Sequence, residues 1–339
     1  MLPQSAGGHV VIAASISARA GCFIVVVCTL LVGCSDRQKV LHLKLGHGLD
    51  PSHSVHKAMR FADQRLREIS GQTMAIDIYP SRQLGGEREL IELLQIGSLS
   101  MTKVSSSPLA SFVAEMQLFD LPYLFKDHQH YLRVLDSPLG KQLLQAPASA
   151  RLLGLGYYDS GSRSFYTVDK TVVSPEDLTG LKIRVQESKT ATAMVKALGG
   201  SPTPIAWGEL YTALQQGVVD GAENNVPSYF LSRHYEAAPH FTLDEHTAVP
   251  DVLLISQYVW KTLTDQQQQW LQQAVDESIV FQRQLWATDT ALALAEIQRE
   301  GVVVTRPDKT QFIAKIQSLL ASYAGTPVGD MIEQIKDIP

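Results

Sequence analysis

The stretches LKIRVQ, residues 181–186, and ALQQGVVDGAENN, residues 213–225, decide how this chain folds. LKIRVQ has the length and apolar content of a buried strand, and ALQQG ends a helix at Gly217 before the short strand VVDGAEN. Strands that alternate with helices in this way are typical of an α/β sheet. Two amides, Asn224 and Asn225, then stand just before Pro227, from which Val226 separates them. They either shape a turn at the end of the strand or present amide groups to a ligand in a cleft.

The same alternation predicts the first part of the chain. Residues 40–49 and 74–80 have the pattern of strands, and residues 51–71 between them place apolar side chains at helical spacing. A second helix, around residues 85–97, carries Leu90, Ile91 and Leu94 on one face. Strands and helices therefore alternate in both halves, and we expect a largely parallel sheet.

A long segment without Gly or Pro runs from Asp265 to Glu300, and its apolar residues keep roughly helical spacing. One continuous helix of this length would be about 54 Å long, which exceeds the width of a typical domain. The segment is either two helices with an unmarked break or a single helix that packs on two domains. The absence of helix-breaking residues favours the single helix.

Composition limits the function classes. The 339 residues are about twice a typical domain length, and the chain is 45% hydrophobic and 19% charged, which predicts two globular domains. With 34 acidic and 29 basic residues the formal charge is −5, and no stretch is rich in Lys or Arg. We therefore expect no nucleic-acid partner and a small-molecule ligand instead.

The N-terminal segment has the features of an export signal. All three cysteines, Cys22, Cys28 and Cys34, lie around the apolar stretch CFIVVVCTLLVG, which is too short to span a bilayer as a helix. Residues 1–34 are predicted to be a signal peptide. The sequence LVGC that ends at Cys34 resembles a lipobox, so Cys34 is either the lipidated first residue of a lipoprotein or part of a plain signal peptide.

Two other function classes have little support in the sequence. Asp50, His53 and His56 are close enough in sequence to share a metal ion, but no further ligand pair with zinc-like spacing accompanies them. Neither a Gly-x-Ser-x-Gly nucleophile motif nor a phosphate-binding loop is present. The sequence predicts no metal, no cofactor and no catalysis.

Taken together, the motifs resemble one protein family. The matching stretches are GHGLDPSHSVHKAM, IYPSRQLGGERELIELLQIGSL, LPYLFKDHQHYLRVLDSPLG, SPEDLTGLKIRVQES and LGGSPTPIAWGELYTALQQGVVDGAEN, together with the long C-terminal helix. They cover nearly everything from about residue 40 to residue 320. The chain resembles the solute-binding proteins of tripartite ATP-independent periplasmic (TRAP) transporters, of the dicarboxylate-binding DctP type.

The resemblance implies an α/β fold of the two-lobed periplasmic-binding-protein type. In this family the lobes exchange strands, and a long helix runs across both. After a signal peptide at residues 1–34, lobe I would comprise residues 38–161 and 250–289. Lobe II would comprise residues 162–249 and 290–339.

The resemblance also implies a function. Such proteins close on an organic acid in the periplasm and deliver it to a membrane permease of two subunits, without catalysis, and we expect a monomer. A protein of the same fold could instead present its ligand to a membrane sensor. Both uses require the same closing cleft.

The resemblance assigns the ligand carboxylate to three residues. Arg184 lies at the C-terminal end of its strand, where side chains of an open α/β sheet reach a cleft, and a guanidinium matches a carboxylate with two parallel hydrogen bonds. Arg163 and Asn224 match two further cleft positions of the family. Without the family, Arg184 would be interpreted as a surface arginine in an ion pair, and Arg163, in a loop with Ser and Gly, as a solvated residue. Asn225 is either another ligand contact or a turn residue.

Four more residues are candidates for the site. Trp207 matches an aromatic position of the cleft, but it could instead be a core residue of an amphipathic helix. Glu87 and His47 match positions of the first lobe that meet the far part of the ligand, although a Glu at a helix start often serves the helix dipole alone. Gln186 follows Arg184 on the same face of its strand and is a weaker candidate.

Glu87 bears on the kind of ligand. A second carboxylate near a fixed Glu would be repelled unless another cation intervened, whereas hydroxyl groups would donate to it. We therefore expect a monoacid with hydroxyl groups, and residues 223–246 resemble the hexuronate-binding branch of the family. Val226 stands where that branch often has Trp. A C4-dicarboxylate such as malate or succinate is the alternative ligand.

Overall fold

The computed structural model describes residues 39–339, so the predicted signal peptide and its three cysteines lie outside the described residues. The strands of the described part are β1 (Leu41–Gly46), β2 (Met74–Tyr79), β3 (Met101–Ser105), β4 (Leu152–Tyr158), β5 (Arg163–Thr167), β6 (Lys182–Val185), β7 (Ser201–Pro204), β8 (Gly221–Asn224), β9 (His240–Thr247), β10 (Asp251–Ser256) and β11 (Val303–Thr305). They form two sheets, one of five and one of six strands.

Helices connect and cover these strands. They are α1 (Ser54–Ile69), α2 (Glu87–Gln95), α3 (Ser106–Leu109), α4 (His128–Asp136), α5 (Pro138–Gln145), α6 (Lys189–Ala197), α7 (Leu210–Gln215), α8 (Val226–Leu231), α9 (Gln257–Trp260), α10 (Asp265–Arg299), α11 (Thr310–Ala321) and α12 (Pro327–Asp337). Short 3₁₀ helices cover Ala114–Asp120, Ala146–Ala150, Pro175–Leu178, Trp207–Glu209 and His234–Glu236. Between residues 39 and 339, no helix combines the length and the hydropathy that a membrane span needs.

The first sheet has the strand order β2-β1-β3-β10-β4. β1 runs parallel to β2 and β3, and α1 packs on it because its apolar stripe, which includes Val55, Met59 and Leu66, meets Leu43 of β1. β10 runs antiparallel to both β3 and β4. The sheet is therefore mixed, and the expected parallel arrangement holds only for the part in which strands alternate with helices.

The second sheet has the strand order β11-β9-β5-β8-β6-β7. β6 runs parallel to β7 and β8, as the alternation of strands and helices predicts, whereas β5 runs antiparallel to β8 and β9. β5 and β6 thus flank β8, so side chains at the ends of these three strands lie close together. This arrangement positions the candidate site.

The chain crosses between the sheets in two short connections. β4 of the first sheet leads directly to β5 of the second, and β9 of the second sheet leads to β10 of the first. β10 enters between β3 and β4, so the first sheet is completed by a strand that arrives from the second. We propose that lobe boundaries fall in these connections, at residues 159–162 and 248–250.

The long C-terminal segment is one helix, α10, of 35 residues, which confirms the single-helix prediction. Thr264 begins it with a capping box, in which Thr264 accepts from the backbone of Gln267 and the Gln267 side chain accepts from the backbone of Thr264. Its first half packs in the core of the first sheet through Val275, and its second half packs in the core of the second sheet through Ile297. The helix therefore spans both sheets.

The last two helices pack against different parts of the molecule. Phe312 of α11 lies in the core of the second sheet, with Ile183 of β6. Ile332 of α12 lies instead in a core with Leu118 and Val252, on the first sheet. The prediction assigns all of 290–339 to lobe II, and we propose that α12 belongs to lobe I instead, because its apolar face is buried in that core.

Candidate functional site

One cavity with a volume of about 150 Å³ is lined by residues of both sheets. The structure brings seven of the eight predicted site residues to its wall. They are Glu87, Arg163, Arg184, Gln186, Trp207, Asn224 and Asn225. The cavity lies where β6 and β8 of the second sheet end and where α2 begins beside the first sheet.

Arg184 is the buried cation of this cavity that lacks a carboxylate partner among the described residues. Its side chain is 2% exposed, and Nε donates to the backbone oxygen of Ile205 at 2.8 Å, while Nη1 is buried with no hydrogen-bond partner. Burial lowers the pKa of Arg184, an effect that the carboxylates of Glu223 and Glu87 partly oppose. An unpaired buried cation is costly, so an anion in the cavity would be bound favourably.

Arg163 lines the same cavity but already has a carboxylate partner. Its guanidinium forms a bidentate pair with Glu223, donates to the Glu223 backbone oxygen at 2.8 Å and donates to Asn224 Oδ1 at 2.9 Å. Four of its five N–H groups are thus used within the protein. The guanidinium of Arg163 is thus paired within the protein, and it fixes the orientation of the Asn224 amide.

The pair of Arg163 and Glu223 belongs to a buried network that sequence reasoning missed. His246 Nδ1 donates to Asp244 Oδ2 at 2.8 Å, and its Nε2 lies 3.6 Å from Glu223 Oε2. Burial alone would raise the pKa of Glu223, but the charge of Arg163, the hydrogen bonds from Arg163 and the nearby charge of His246 hold it at about 2. Burial would lower the pKa of His246, but Asp244 and Glu223 raise it to about 9. The two positive charges, on Arg163 and His246, thus balance the two negative charges, on Glu223 and Asp244.

Asn224 ends β8 with its amide oxygen fully used. Oδ1 accepts from Arg163 Nη1 and from the backbone N–H of Asn225, each at 2.9 Å. This fixes the orientation of the amide and leaves its N–H groups without an acceptor in the described part of the protein. Asn224 lines the cavity, and 4% of its surface is exposed. These N–H groups are therefore available to a carboxylate or hydroxyl oxygen in the cavity.

Asn225 has a structural role as well as its place on the cavity wall. Its Oδ1 accepts from the backbone N–H of Ser228 at 2.8 Å, which makes Asn225 the N-cap of α8, with Pro227 in the first turn. The sequence left two roles open for the adjacent amides, presentation of a donor to a cleft and shaping of the turn, and the two residues take one role each. Asn224 presents a donor to the cavity, and Asn225 begins the helix that follows.

Trp207 and Gln186 complete the second-sheet wall. The guanidinium carbon of Arg184 lies 6.0 Å from the centre of the Trp207 ring, which also packs on the ring of His234 at 5.1 Å. The indole is half-buried, so it contributes to the core and to the cavity at once. Gln186 Oε1 is buried without a hydrogen-bond partner. Among the described residues that line the cavity, Gln186 Oε1 and Arg184 Nη1 are thus both buried without a hydrogen-bond partner.

The opposite wall carries a charged group that the sequence did not predict. Lys103 of β3 is 3% exposed, and its Nζ lies 2.8 Å from Asp251 Oδ1 of β10 and 3.4 Å from Glu87 Oε1. Glu87 Oε1 also accepts from the backbone N–H of Ser105 at 3.0 Å. A lysine inside the strand MTKVS was the available signal for this cluster, because lysine is almost never fully buried unless it is paired.

His47 is the one of the eight predicted site residues that does not line the cavity. Its Nδ1 accepts from the backbone N–H of Leu49 at 3.1 Å, and its Nε2 lies 3.0 Å from His56 Nδ1. Burial, together with the charge of Lys103, lowers the pKa of His47 to about 3, so the ring is neutral. It holds the turn that brings Gly48 and Leu49 to the cavity wall.

The same region contains no arrangement for a metal ion. Over residues 39–339, no group of three or more His, Cys, Asp or Glu side chains is placed to hold one. His53 instead caps α1, where its Nδ1 accepts from the backbone N–H of Val55 at 3.2 Å, and its Nε2 lies 3.4 Å from Ser228 Oγ.

Arg82 also lies on the cavity wall and was not predicted. Its side chain packs across Gly208, so closely that a Cβ atom at position 208 would lie only 1.5 Å from Arg82 Nη1. Arg82 follows β2 of the first sheet, whereas Gly208 precedes α7 beside the second. The contact therefore joins residues from the two sides of the cavity.

Comparison with known proteins agrees with these features. Residues 45–326 match the model of a family described as bacterial extracellular solute-binding protein, family 7 (DctP). The structure is similar to a TRAP periplasmic solute binding protein from Bradyrhizobium sp. BTAi1 in complex with α/β-D-galacturonate, at 38% identity and a TM-score of 0.85, covering 87% of this chain and 99% of that one.

Two further solved structures are similar over most of the chain. One is a TRAP solute binding protein from Xanthobacter autotrophicus Py2 with bound β-D-galacturonate, with 36% identity, a TM-score of 0.85 and coverage of 88% and 100% of the two chains. The other, from Polaromonas sp. JS666, is bound to D-erythronate, with 30% identity, a TM-score of 0.85 and coverage of 88% and 99%. The chain therefore belongs to the DctP family of solute-binding proteins of TRAP transporters.

Proposed function

We propose that this protein captures a hexuronate or a related sugar acid in its cavity and delivers it to the membrane permease of a TRAP transporter. The observation that carries the proposal is the pairing of two features within one cavity. A buried arginine without a carboxylate partner, Arg184, lies on one wall, and a cluster of hydrogen-bonding charged groups that includes Glu87 lies on the other.

The carboxylate of the ligand is expected to lie against Arg184. Nη1 of Arg184 has no partner in the protein, and the amide N–H groups of Asn224 are available beside it. A carboxylate accepts hydrogen bonds through both oxygens, so it can use the guanidinium and the amide together. Trp207 covers the guanidinium and keeps water from it, which strengthens the ion pair.

The hydroxyl groups of the ligand are expected to lie against the first-sheet wall. Hydroxyl groups both donate and accept, so they can bind carboxylates such as Glu87 and an ammonium such as Lys103 at the same time. Buried Gln186 Oε1 adds an acceptor on the other wall. A molecule with one carboxylate and several hydroxyl groups satisfies both walls, which is the chemistry of a sugar acid.

The bound molecules of the similar structures have this chemistry. Galacturonate and erythronate each carry one carboxylate and several hydroxyl groups, although one is a ring sugar acid and the other a short open chain. Val226, which departs from the tryptophan often found in the hexuronate-binding branch, is 7% exposed and packs in the core of the second sheet. Val226 does not line the cavity, so this departure leaves the described cavity wall unchanged.

The cellular setting is also part of the proposal. We expect a periplasmic protein whose signal peptide ends near Cys34, with a lipid anchor if Cys34 is acylated, and a monomer that acts without catalysis. A role as a ligand-presenting sensor would use the same cleft. Mass spectrometry of the mature N-terminus distinguishes a diacylglycerol-modified Cys34 from an unmodified cleavage product.

A thermal-shift screen of the purified protein tests the ligand class. The screen compares glucuronate, galacturonate, erythronate, malate, succinate and neutral glucose. A ligand present at 100 times its dissociation constant adds about 2.7 kcal/mol to the free energy of unfolding, which gives a clear shift in melting temperature. We expect shifts with the sugar acids and none with glucose, and shifts with malate or succinate alone would contradict the proposal.

A further inference from the structure

A second pocket, with a volume of about 370 Å³, is lined by α10 and by the connection that leads from β4 to β5. Trp286, Thr290 and Leu294, which lie one turn apart on one face of α10, line this α10 pocket. Asn225 is the one described residue that lines both the α10 pocket and the cavity that contains Arg184. The α10 pocket is therefore a separate space.

The walls of the α10 pocket are mostly apolar. Leu294 of α10 and Leu243 of β9 pack against the core of the second sheet, and Val226, Pro227 and Pro307 complete the apolar lining. A sugar acid would leave hydroxyl groups without hydrogen-bond partners against such walls, which is costly. The pocket therefore favours a ligand with an apolar body.

Trp286 gives the pocket a hydrogen-bond donor that is not used within the described part of the protein. The side chain is 2% exposed, and its Nε1 has no acceptor between residues 39 and 339. Gly161, which also lines the pocket, leaves the space beside this atom open, because a Cβ atom there would lie 3.0 Å from Nε1. Thr290 Oγ1, one turn along α10, is likewise buried without a partner. A ligand that accepts hydrogen bonds here would satisfy groups that are costly to leave unpaired.

Cations lie at the edge of the α10 pocket. Arg306 is exposed, lines the pocket and forms no ion pair with a described residue. Lys309 pairs with Glu245, so the charged side chains of the lining, two positive and one negative, have a net charge of +1. Asp308 does not change this balance, because its Oδ1 accepts from the backbone and the hydroxyl group of Thr310. The pocket therefore attracts an anion, although the whole chain has a formal charge of −5.

We infer that the α10 pocket is a second ligand site, which binds an organic anion with an apolar body. Arg306 and Trp286 Nε1 supply hydrogen-bond donors to the carboxylate of such a ligand, and Leu243 and Leu294 pack against its apolar part. This site is independent of the cavity that contains Arg184, so both can be occupied at once.

Phenylacetate and phenethyl alcohol are matched probes for this site. They share a benzyl group and differ in having a carboxylate or a hydroxymethyl group attached to it. Isothermal titration calorimetry with the purified protein measures both affinities, first without galacturonate and then with galacturonate at saturation. Phenylacetate is expected to bind at least about tenfold more tightly than phenethyl alcohol, and galacturonate is expected to change its affinity by less than about threefold.

Two variants test the donors separately. Arg306→Gln removes the exposed cation and is expected to weaken phenylacetate binding at least about threefold, with little change for phenethyl alcohol. Trp286→Phe keeps an aromatic ring, removes the indole N–H and is expected to weaken phenylacetate binding in the same way. The control is Arg299→Gln, which makes the same charge change as Arg306→Gln at an exposed side chain near the end of α10.

The outcomes separate the second site from the proposed function. A protein that binds neither probe, or binds both equally, overturns the second site. Displacement of phenylacetate by galacturonate also overturns it, because the two would then share the cavity that contains Arg184. Unchanged phenylacetate affinity in Arg306→Gln and in a folded Trp286→Phe protein has the same meaning, and Arg306→Gln decides alone if the other variant does not fold. A protein that binds phenylacetate as expected but binds no galacturonate contradicts the proposed function alone.

Discussion

Arg184 and Arg163 lie on the two strands that flank β8, and their surroundings give them different roles. Arg184 has a backbone oxygen as its one described partner and a buried Nη1 without any. Arg163 is held by Glu223 and Asn224. The first guanidinium is therefore available to the ligand, and the second orients the amide beside it.

Arg184→Ala is expected to weaken galacturonate binding at least about tenfold, because it removes charge-assisted hydrogen bonds worth about 1.5–3 kcal/mol. Isothermal titration calorimetry measures the change. Arg299→Ala is the control, since Arg299 is an exposed arginine at the end of α10 that pairs with Glu296. Unchanged affinity in Arg184→Ala would show that the carboxylate lies elsewhere.

Glu223→Gln is expected to lower the free energy of unfolding by about 3 kcal/mol, because it leaves the buried charge of Arg163 without its carboxylate partner and leaves Asp244 as the one carboxylate paired with His246. Urea denaturation measures the change. Glu236→Gln, which alters an exposed pair with Arg233, is expected to have little effect. Similar midpoints for Glu223→Gln and the wild type would mean that the buried network does not contribute to stability.

Sequence and resemblance placed Arg184, Asn224 and Glu87 on the cavity wall, because each belongs to a short local motif. They did not predict Lys103 with Asp251, because these residues are 148 positions apart (251 − 103) and meet only through the pairing of β3 with β10. His47 also belongs to a short local motif, and its neighbours Gly48 and Leu49 line the cavity. The ring of His47 itself lies against His56 instead. Local motifs thus predict which segments lie beside the cavity better than they predict which side chains contact one another.

At the scale of elements, the pattern of apolar residues predicted four strands, β1, β2, β6 and β8, and four helices, α1, α2, α7 and α10. The absence of Gly and Pro between residues 265 and 300 predicted α10 correctly as one helix. The direction of β5 and β10 was not predictable in this way. Both strands follow a connection that crosses between the sheets, and their direction depends on where the chain returns rather than on their own residues.

Thr264→Ala is expected to lower the free energy of unfolding by about 1 kcal/mol, because Thr264 caps the N-terminus of α10 and forms a capping box with Gln267. Chemical denaturation measures the loss. Thr288→Ala, an exposed change in the middle of the same helix, is the control and is expected to be neutral or slightly stabilising. Equal effects of the two changes would argue against the cap.

At the scale of the whole molecule, α10 and the two crossing connections join the sheets, while the cavity lies between groups from both. A ligand that contacts Arg184 and Glu87 together therefore favours the conformation in which the walls are close. The contact of Arg82 with Gly208 favours the same conformation. Ligand binding is expected to stabilise the molecule as one unit rather than one lobe alone.

The buried network predicts how stability depends on pH. The pKa of His246 is raised from 6.5 to about 9, so its contribution is fully present below pH 6.5 and is lost as the pH rises through 9. The loss is on the order of 3 kcal/mol. Urea denaturation between pH 6 and pH 10 is expected to show this decrease for the wild type and a flatter profile for His246→Gln. Parallel profiles would contradict a charged His246.

The most direct test of the central claim is a pair of calorimetric titrations with galacturonate and galactose, which differ only in having a carboxylate or a hydroxymethyl group on the same ring. We predict that the wild-type protein binds galacturonate at least about a hundredfold more tightly than galactose, as a charge-assisted bidentate contact with Arg184 requires. Arg184→Ala should remove most of this difference. Equal affinity for the two sugars, or binding of neither while succinate binds, would contradict the account.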